Sequence, residues 1–268
     1  MPKYKEYFGF KSEPFSSSVP AEKLLQLPSM IEVKEKMLYA ASLGGVMVVT
    51  GDVGSGKSTS LRWAASHFHP SSTQVMNIVA TTSSMNDLLK QMCWAADLDV
   101  RAASRSFLIK SFKASVKAMV EKKMNVVLVI DEASLLRSDI FAELHVLTQF
   151  SYDSQKHLTL VLAGQSTLID RLTFRMSAPL ASRVICKSHL SSITLDQMQE
   201  YLAHHLKIAG CKKMIFSDQA VTAIHQGSGG ILRKANSLAK GAIVAASIET
   251  KQIVEAEQVR VASTELII

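Results

Sequence analysis

Short, unbroken apolar runs recur along the chain at Val46–Thr50, Val75–Ala80, Val126–Ile130 and Leu158–Ala163, with a weaker one at Val184–Ser188. A strand covered on both faces reads this way, whereas a half-exposed strand would alternate. Amphipathic stretches of helix length lie between the runs. In one of them, Ser104–Lys123, the residues Leu108, Phe112, Val116 and Met119 form a single stripe at helical spacing. Strands alternating with helices predict an α/β fold with a parallel sheet and helices on both faces. After Ser192 the strand signal stops. Thr194-Leu195-Asp196-Gln197 reads as a capping box opening a helix that stops at Gly210. Ser217-Asp218 opens a second helix, ending near Gly227; a third begins around Gly230 and a fourth covers Val254–Ala262.

This pattern divides the chain into an irregular lead-in, 1–30, carrying Gly9, Pro14, Pro20 and Pro28, then an αβ domain, 31–191, and a helical lid, 192–268. A helix over Ile31–Leu43 is expected to stop at Gly44-Gly45. Composition agrees with one compact unit: 47% of the 268 residues are hydrophobic and only 6% aromatic, so the core should be aliphatic. No uncharged apolar run is long enough to span a bilayer, and Met1–Glu6 lacks the apolar stretch of a secretory leader. Cys93, Cys186 and Cys211 are odd in number and widely spaced, which reads as reduced core residues. The expectation is a cytoplasmic protein with no membrane partner.

The chemistry sits at strand ends. Gly51-Asp52-Val53-Gly54-Ser55-Gly56-Lys57-Ser58 fits the phosphate-loop pattern at every position, directly after an apolar run and before a helical stretch beginning at Thr59. Its glycines let backbone amides turn inward as an anion cage at a helix start. Lys57 brings a charge to the β- and γ-phosphates of ATP, and Ser58 brings a hydroxyl to Mg²⁺. The run Val126–Ile130 ends in Asp131-Glu132. Asp131 is placed to hold Mg²⁺, and Glu132 to orient and deprotonate the attacking water.

Phosphate loop, Asp131-Glu132, a strand ending Val161-Leu162-Ala163-Gly164-Gln165, an arginine-bearing segment and a helical lid resemble the AAA+ order. Tyr7-Phe8-Gly9-Phe10 with Pro14-Phe15, Asp131-Glu132-Ala133, Leu162–Gln165 and Gly229-Gly230-Ile231-Leu232-Arg233 resemble the general secretion protein A (ExeA) ATPase family. That family shares its core with transposition regulators of the TniB/TnsC type. The resemblance covers residues 4–262 and implies an ATPase using ATP and Mg²⁺. It implies that Gln165 senses the γ-phosphate, that Arg233 reaches from the lid, and that Arg183 is a finger acting on a neighbouring subunit, with Arg171 and Arg175 as alternatives. Ser134 and Leu232 depart from the family's usual glutamine and proline. The secretion members continue into a membrane anchor and a peptidoglycan-binding region, so a chain ending at Ile268 would match only their cytoplasmic front.

The net charge of +7, with a pI near 9.3, permits attraction to nucleic acid. Lys110, Lys113 and Lys117 fall within about 60° on one side of the Ser104–Lys123 helix and could track phosphates of duplex DNA without reading sequence. Related transposition ATPases bind DNA inside helical assemblies. The expected function is therefore an ATP-dependent, DNA-assembled homo-oligomer or filament that selects targets and activates a partner transposase. A secretion-complex ATPase and a nucleotide-gated initiator or signalling switch are the alternatives. The adjacent His204-His205 pair lacks suitably spaced ligands for a metal, and Trp63 and Trp94 are expected in the core.

Overall fold

The computed structural model describes residues 3–100, 104–151 and 153–265. They form β1 (Val46–Gly51), β2 (Thr73–Val79), β3 (Asn125–Asp131), β4 (Leu158–Gly164) and β5 (Val184–Leu190). The helices are α1 (Lys3–Phe8), α2 (Pro28–Leu43), α3 (Lys57–Ala65), α4 (Met85–Ala95), α5 (Arg105–Glu121), α6 (Ser138–Thr148), α7 (Thr167–Thr173), α8 (Ala178–Ala181), α9 (Leu195–Ile208), α10 (Asp218–Ser228), α11 (Leu232–Ile248) and α12 (Ala256–Glu265). The chain divides into two units. The first is the αβ unit, Pro28–Val53 with Lys57–Leu190; the second joins the segment up to Leu27, Gly54–Gly56 and the chain from Ser191 onward.

In the αβ unit the five strands are all parallel, in the order β2-β3-β4-β1-β5. Every residue of β1 and β4 is buried, which is why both read as unbroken apolar runs. Alternate residues feed two cores. Val46, Val48, Leu128, Ile130, Leu160 and Leu162 face the layer built by α4 to α8. Met47, Val49, Val127, Val129, Val161 and Ala163 face α2 and α3, through Val33, Met37, Leu61 and Ala64. The expected α5 stripe forms this core edge: Leu108, Phe112 and Val116 are buried and Met119 packs alongside. Helix α2 begins at Pro28, three residues before the expected Ile31, because proline is preorganised for a first helical turn.

Two expectations about packing are corrected. Trp63 is buried, but Trp94, in the last turn of α4, is 56% exposed. Its neighbour Cys93 takes the inward position and donates to the Leu108 carbonyl, so the helix turns Trp94 out. Of the cysteines, all free, only Cys93 is buried; Cys186 and Cys211 are half-buried.

In the helical unit, Thr194 and Gln197 form the expected reciprocal cap of α9. The segment before Leu27, read from sequence as a separate lead-in, packs within this unit. Glu13 accepts from Tyr4, pairs with Lys5 and reaches Lys240 on α11; these partners hold its carboxyl down at about 2. Phe15 stacks on His205 of α9, ring centroids 5.4 Å apart, and meets Phe216 at 6.1 Å. Burial pushes the His205 imidazole down to about 4, with His204 adding to the shift. Among the described residues no helix is long and apolar enough to cross a membrane.

Candidate active site

In a parallel sheet of this order, β1 sends the chain outward to β2, whereas β4 sends it across β1 to β5. Ligands collect outside the carboxyl ends at such a reversal. The register brings the relevant ends level: Thr50 lies beside Gly164, Ile130 beside Leu162, and Val79 beside Asp131. The phosphate loop, Asp131-Glu132 and Gln165 therefore leave the sheet at one height.

Gly54 (φ +88°) and Gly56 (φ +98°) take conformations that a side chain would strain, and this lets the loop wrap before α3 starts at Lys57. Lys57 is 5% exposed, and its ammonium donates to the Gly51 and Asp52 carbonyls, 2.9 Å each. The cation is thus held in the mouth of its own loop. Ser55, also buried, has a side-chain hydroxyl with no hydrogen-bond partner. A buried hydroxyl without a partner costs about 1–3 kcal/mol, and a phosphate oxygen is the kind of acceptor that would relieve it.

Ser58 Oγ donates to Asp131 Oδ2 at 2.5 Å, across seventy-three positions of sequence. A hydroxyl and a carboxylate at that separation are the hard oxygen donors that Mg²⁺ takes. Asp131 Oδ1 accepts the Glu132 N–H at 2.8 Å, so the carboxylate is fixed by both its oxygens. Glu132 is half-buried and left-handed (φ +53°), a backbone state uncommon for a residue with a side chain. The tight turn Ala133–Leu135 follows.

Sequence reasoning missed the brace under this turn. Buried Ser134 accepts from the Gln165 N–H through its hydroxyl, at 3.3 Å. A Cβ at Gly164 would stand 2.8 Å from the Ser134 nitrogen, so only glycine lets the turn close on the end of β4. The position where the family usually has glutamine thus ties Glu132's turn to Gln165. The signal available was Gly164 directly before Gln165. Thr59, in the first turn of α3, is half-buried; Asp52 and Val53 are exposed at the loop tip.

The arginines separate clearly. On α7, Arg171 donates to the Leu136 carbonyl and is spent on the turn after Glu132. Arg175 is exposed between Phe174 and Met176. Arg183 precedes β5, at the amino end of the sheet, where its carbonyl accepts from Val46. Seven strand residues separate it from the phosphate end, roughly 20 Å at about 3.3 Å per residue. Arg183 is therefore out of reach of the phosphate loop of its own chain. In the helical unit, Arg233 is exposed at the start of α11, and its backbone N–H donates to Gly54 O at 3.1 Å.

The lysine stripe is corrected. Lys110 and Lys117 are exposed. Lys113 instead donates to the carbonyls of Val146 and Gln149 at the end of α6, its ammonium 5.0 Å over the Phe150 ring. Burial lowers its pKa. Helical periodicity put the three lysines together, but it could not see that α6 ends beside the middle one.

Comparison with known proteins agrees with this geometry. Residues 40–172 match the AAA domain family. The chain is 29% identical over 245 residues to general secretion pathway protein A of Aeromonas hydrophila, spanning 91% of this chain but 45% of that protein. Cdc6p from Pyrobaculum aerophilum superposes with a TM-score of 0.73 at 18% identity, over 94% of this chain and 70% of that one. The Aeropyrum pernix ORC1 protein, solved in complex with DNA, gives 0.66 at 17% identity, over 91% and 66%. Residues 40–172 thus match an AAA domain, which carries Lys57, Ser58, Asp131 and Glu132, and the chain as a whole is similar to general secretion pathway protein A.

Proposed function

We propose that the chain hydrolyses ATP to ADP and phosphate as an assembly switch whose subunits share their active sites. The observation that carries this reading is the Ser58–Asp131 contact, with Glu132 next in the chain. Gly51–Thr59 hold the phosphates, with Lys57 as the charge and the Ser55 hydroxyl as a further donor. Ser58 and Asp131 hold Mg²⁺, which when bound neutralises phosphate charge. Glu132 orients the water and takes its proton, while Gln165, braced by Ser134, reads the terminal phosphate and Arg233 contributes from the helical unit. Arg183 acts on the neighbouring subunit, because its own site is out of reach. A homo-oligomer or helical filament follows.

The favoured client is duplex DNA, bound without sequence preference in the ATP state, with a partner transposase activated by the assembly. The charge of +7, the exposed Lys110 and Lys117, and a fold shared with an ORC1 protein solved on DNA support it. A second reading, a secretion-complex assembly ATPase, is favoured by the sequence relative itself. Fluorescence anisotropy on a random-sequence duplex separates the two. Binding with a slow ATP analogue, release with ADP and a steep fall with salt are expected for DNA, with a log–log slope of about one unit per phosphate contact. Indifference to DNA at low salt in both nucleotide states would leave the secretion reading standing alone.

A further inference from the structure

We propose that Asp153 is a positioning residue that latches Arg183 in the unassembled subunit and so sets the concentration at which subunits begin to hydrolyse ATP. The proposal rests on the reading of Arg183 as the arginine supplied to a neighbour. The Arg183 guanidinium is engaged at both terminal nitrogens. Nη2 meets Asp153 Oδ2 at 2.6 Å, and Nη1 donates to the Pro179 carbonyl at 2.6 Å. Those are the nitrogens that would fork onto phosphate oxygens, so the resting contacts and the working contacts exclude each other.

The loop that carries Asp153 is held by its own contacts. Lys113 fixes the loop root through Val146 O and Gln149 O and sits over Phe150. Phe150 bridges to Gln155, and Ser151 donates to the Gln155 side chain at 2.8 Å. Ser151 (φ +48°) and Asp153 (φ +68°) both take the left-handed backbone conformation. Arg183 and Asp153 themselves line a cavity of about 250 Å³, together with Thr148, Lys156, Ser182 and Ile185. Lys113 thus has a task different from the phosphate tracking its spacing suggests.

Magnitude fixes what such a latch can do. The side chains of Arg183 and Asp153 are 20% and 49% exposed, and partly exposed pairs shift an equilibrium about one-and-a-half- to fivefold. A trans arginine contributes about a thousandfold or more to turnover. The latch therefore sets a threshold for assembly and leaves the assembled rate untouched.

The test measures ATP turnover against protein concentration for wild type, Asp153→Asn, Asp153→Glu, Arg183→Ala and the Asp153→Asn/Arg183→Ala double variant. The latch predicts that Asp153→Asn lowers the half-maximal protein concentration about one-and-a-half- to fivefold, with KM for ATP and the plateau rate unchanged. Asp153→Glu should restore the wild-type midpoint, and the double variant should be as inactive as Arg183→Ala. An unchanged or raised midpoint in Asp153→Asn, with Arg183→Ala inactive, overturns the latch while the shared-site reading stands. Wild-type turnover in Arg183→Ala overturns both.

Discussion

The two ends of the sheet hold their cations differently. At the carboxyl end Lys57 is clasped by carbonyls of its own loop, Gly51 and Asp52, six and five residues away in sequence. At the amino end Arg183 is held by Asp153, thirty residues away in an irregular loop, and Lys113 by carbonyls thirty-three and thirty-six residues away. The first arrangement is written into consecutive residues and follows wherever the loop folds. The second exists only once α5, α6 and β5 have docked. A motif therefore locates a cation's task when its partners are local, and misleads when they are not.

That contrast can be attacked with variants, the largest effect first. Lys57→Ala should abolish nucleotide binding, because nothing else buried in the loop carries a positive charge to the phosphates; a titration with labelled ATP checks it. Arg183→Ala should bind ATP normally and lose about a thousandfold or more in turnover. If it lost binding too, the distance of Arg183 from its own phosphate loop would be irrelevant and the contrast between the sheet ends would collapse. Glu132→Gln should bind ATP and lose about a hundred- to ten-thousandfold in phosphate release, the range for a positioned base.

Smaller effects sharpen the amino end. Lys110→Glu with Lys117→Glu should weaken ATP-dependent DNA binding and flatten its salt slope by roughly two units, leaving DNA-free hydrolysis unchanged. Lys113→Met should instead cost about 1–2 kcal/mol in urea unfolding of the αβ unit, since it strips a donor from two carbonyls. Equal effects of all three lysines on DNA would restore the stripe that the structure divides.

A further effect concerns the helical unit and pH. His205 titrates at about 4 folded and near 6.5 unfolded. Between those values the unfolded chain binds a proton that the folded chain does not, so stability falls as pH falls through that window. Urea melts should lose about 2 kcal/mol between pH 7 and pH 5, and His205→Phe should flatten that slope. A slope that survives the substitution would assign the acid sensitivity to other groups.

Much of the fold was legible because buried parallel strands leave unbroken apolar runs, and Thr194 with Gln197 marks its own helix start. The phosphate loop and Asp131-Glu132 were legible for the same reason: each is a strand end followed by a local motif. What sequence could not give was side-chain destination. Trp94 and Cys93 are adjacent, and only the packing of α4 on α5 decides which turns inward. Ser134 is an ordinary serine until Gly164 lets its turn close on β4. The residues before Leu27 carry turn-forming prolines and read as a lead-in, yet Phe15 and Glu13 fasten them to α9 and α11.

In the proposed shared site, one subunit supplies the phosphate pocket and its neighbour the arginine. Mixing Lys57→Ala with Arg183→Ala tests it most directly, because one partner keeps an intact finger and the other an intact pocket. Two inactive preparations should regain a measurable fraction of wild-type phosphate release when combined, with a maximum near equal proportions. A mixture as inactive as its parts, under conditions in which wild type assembles, would contradict it.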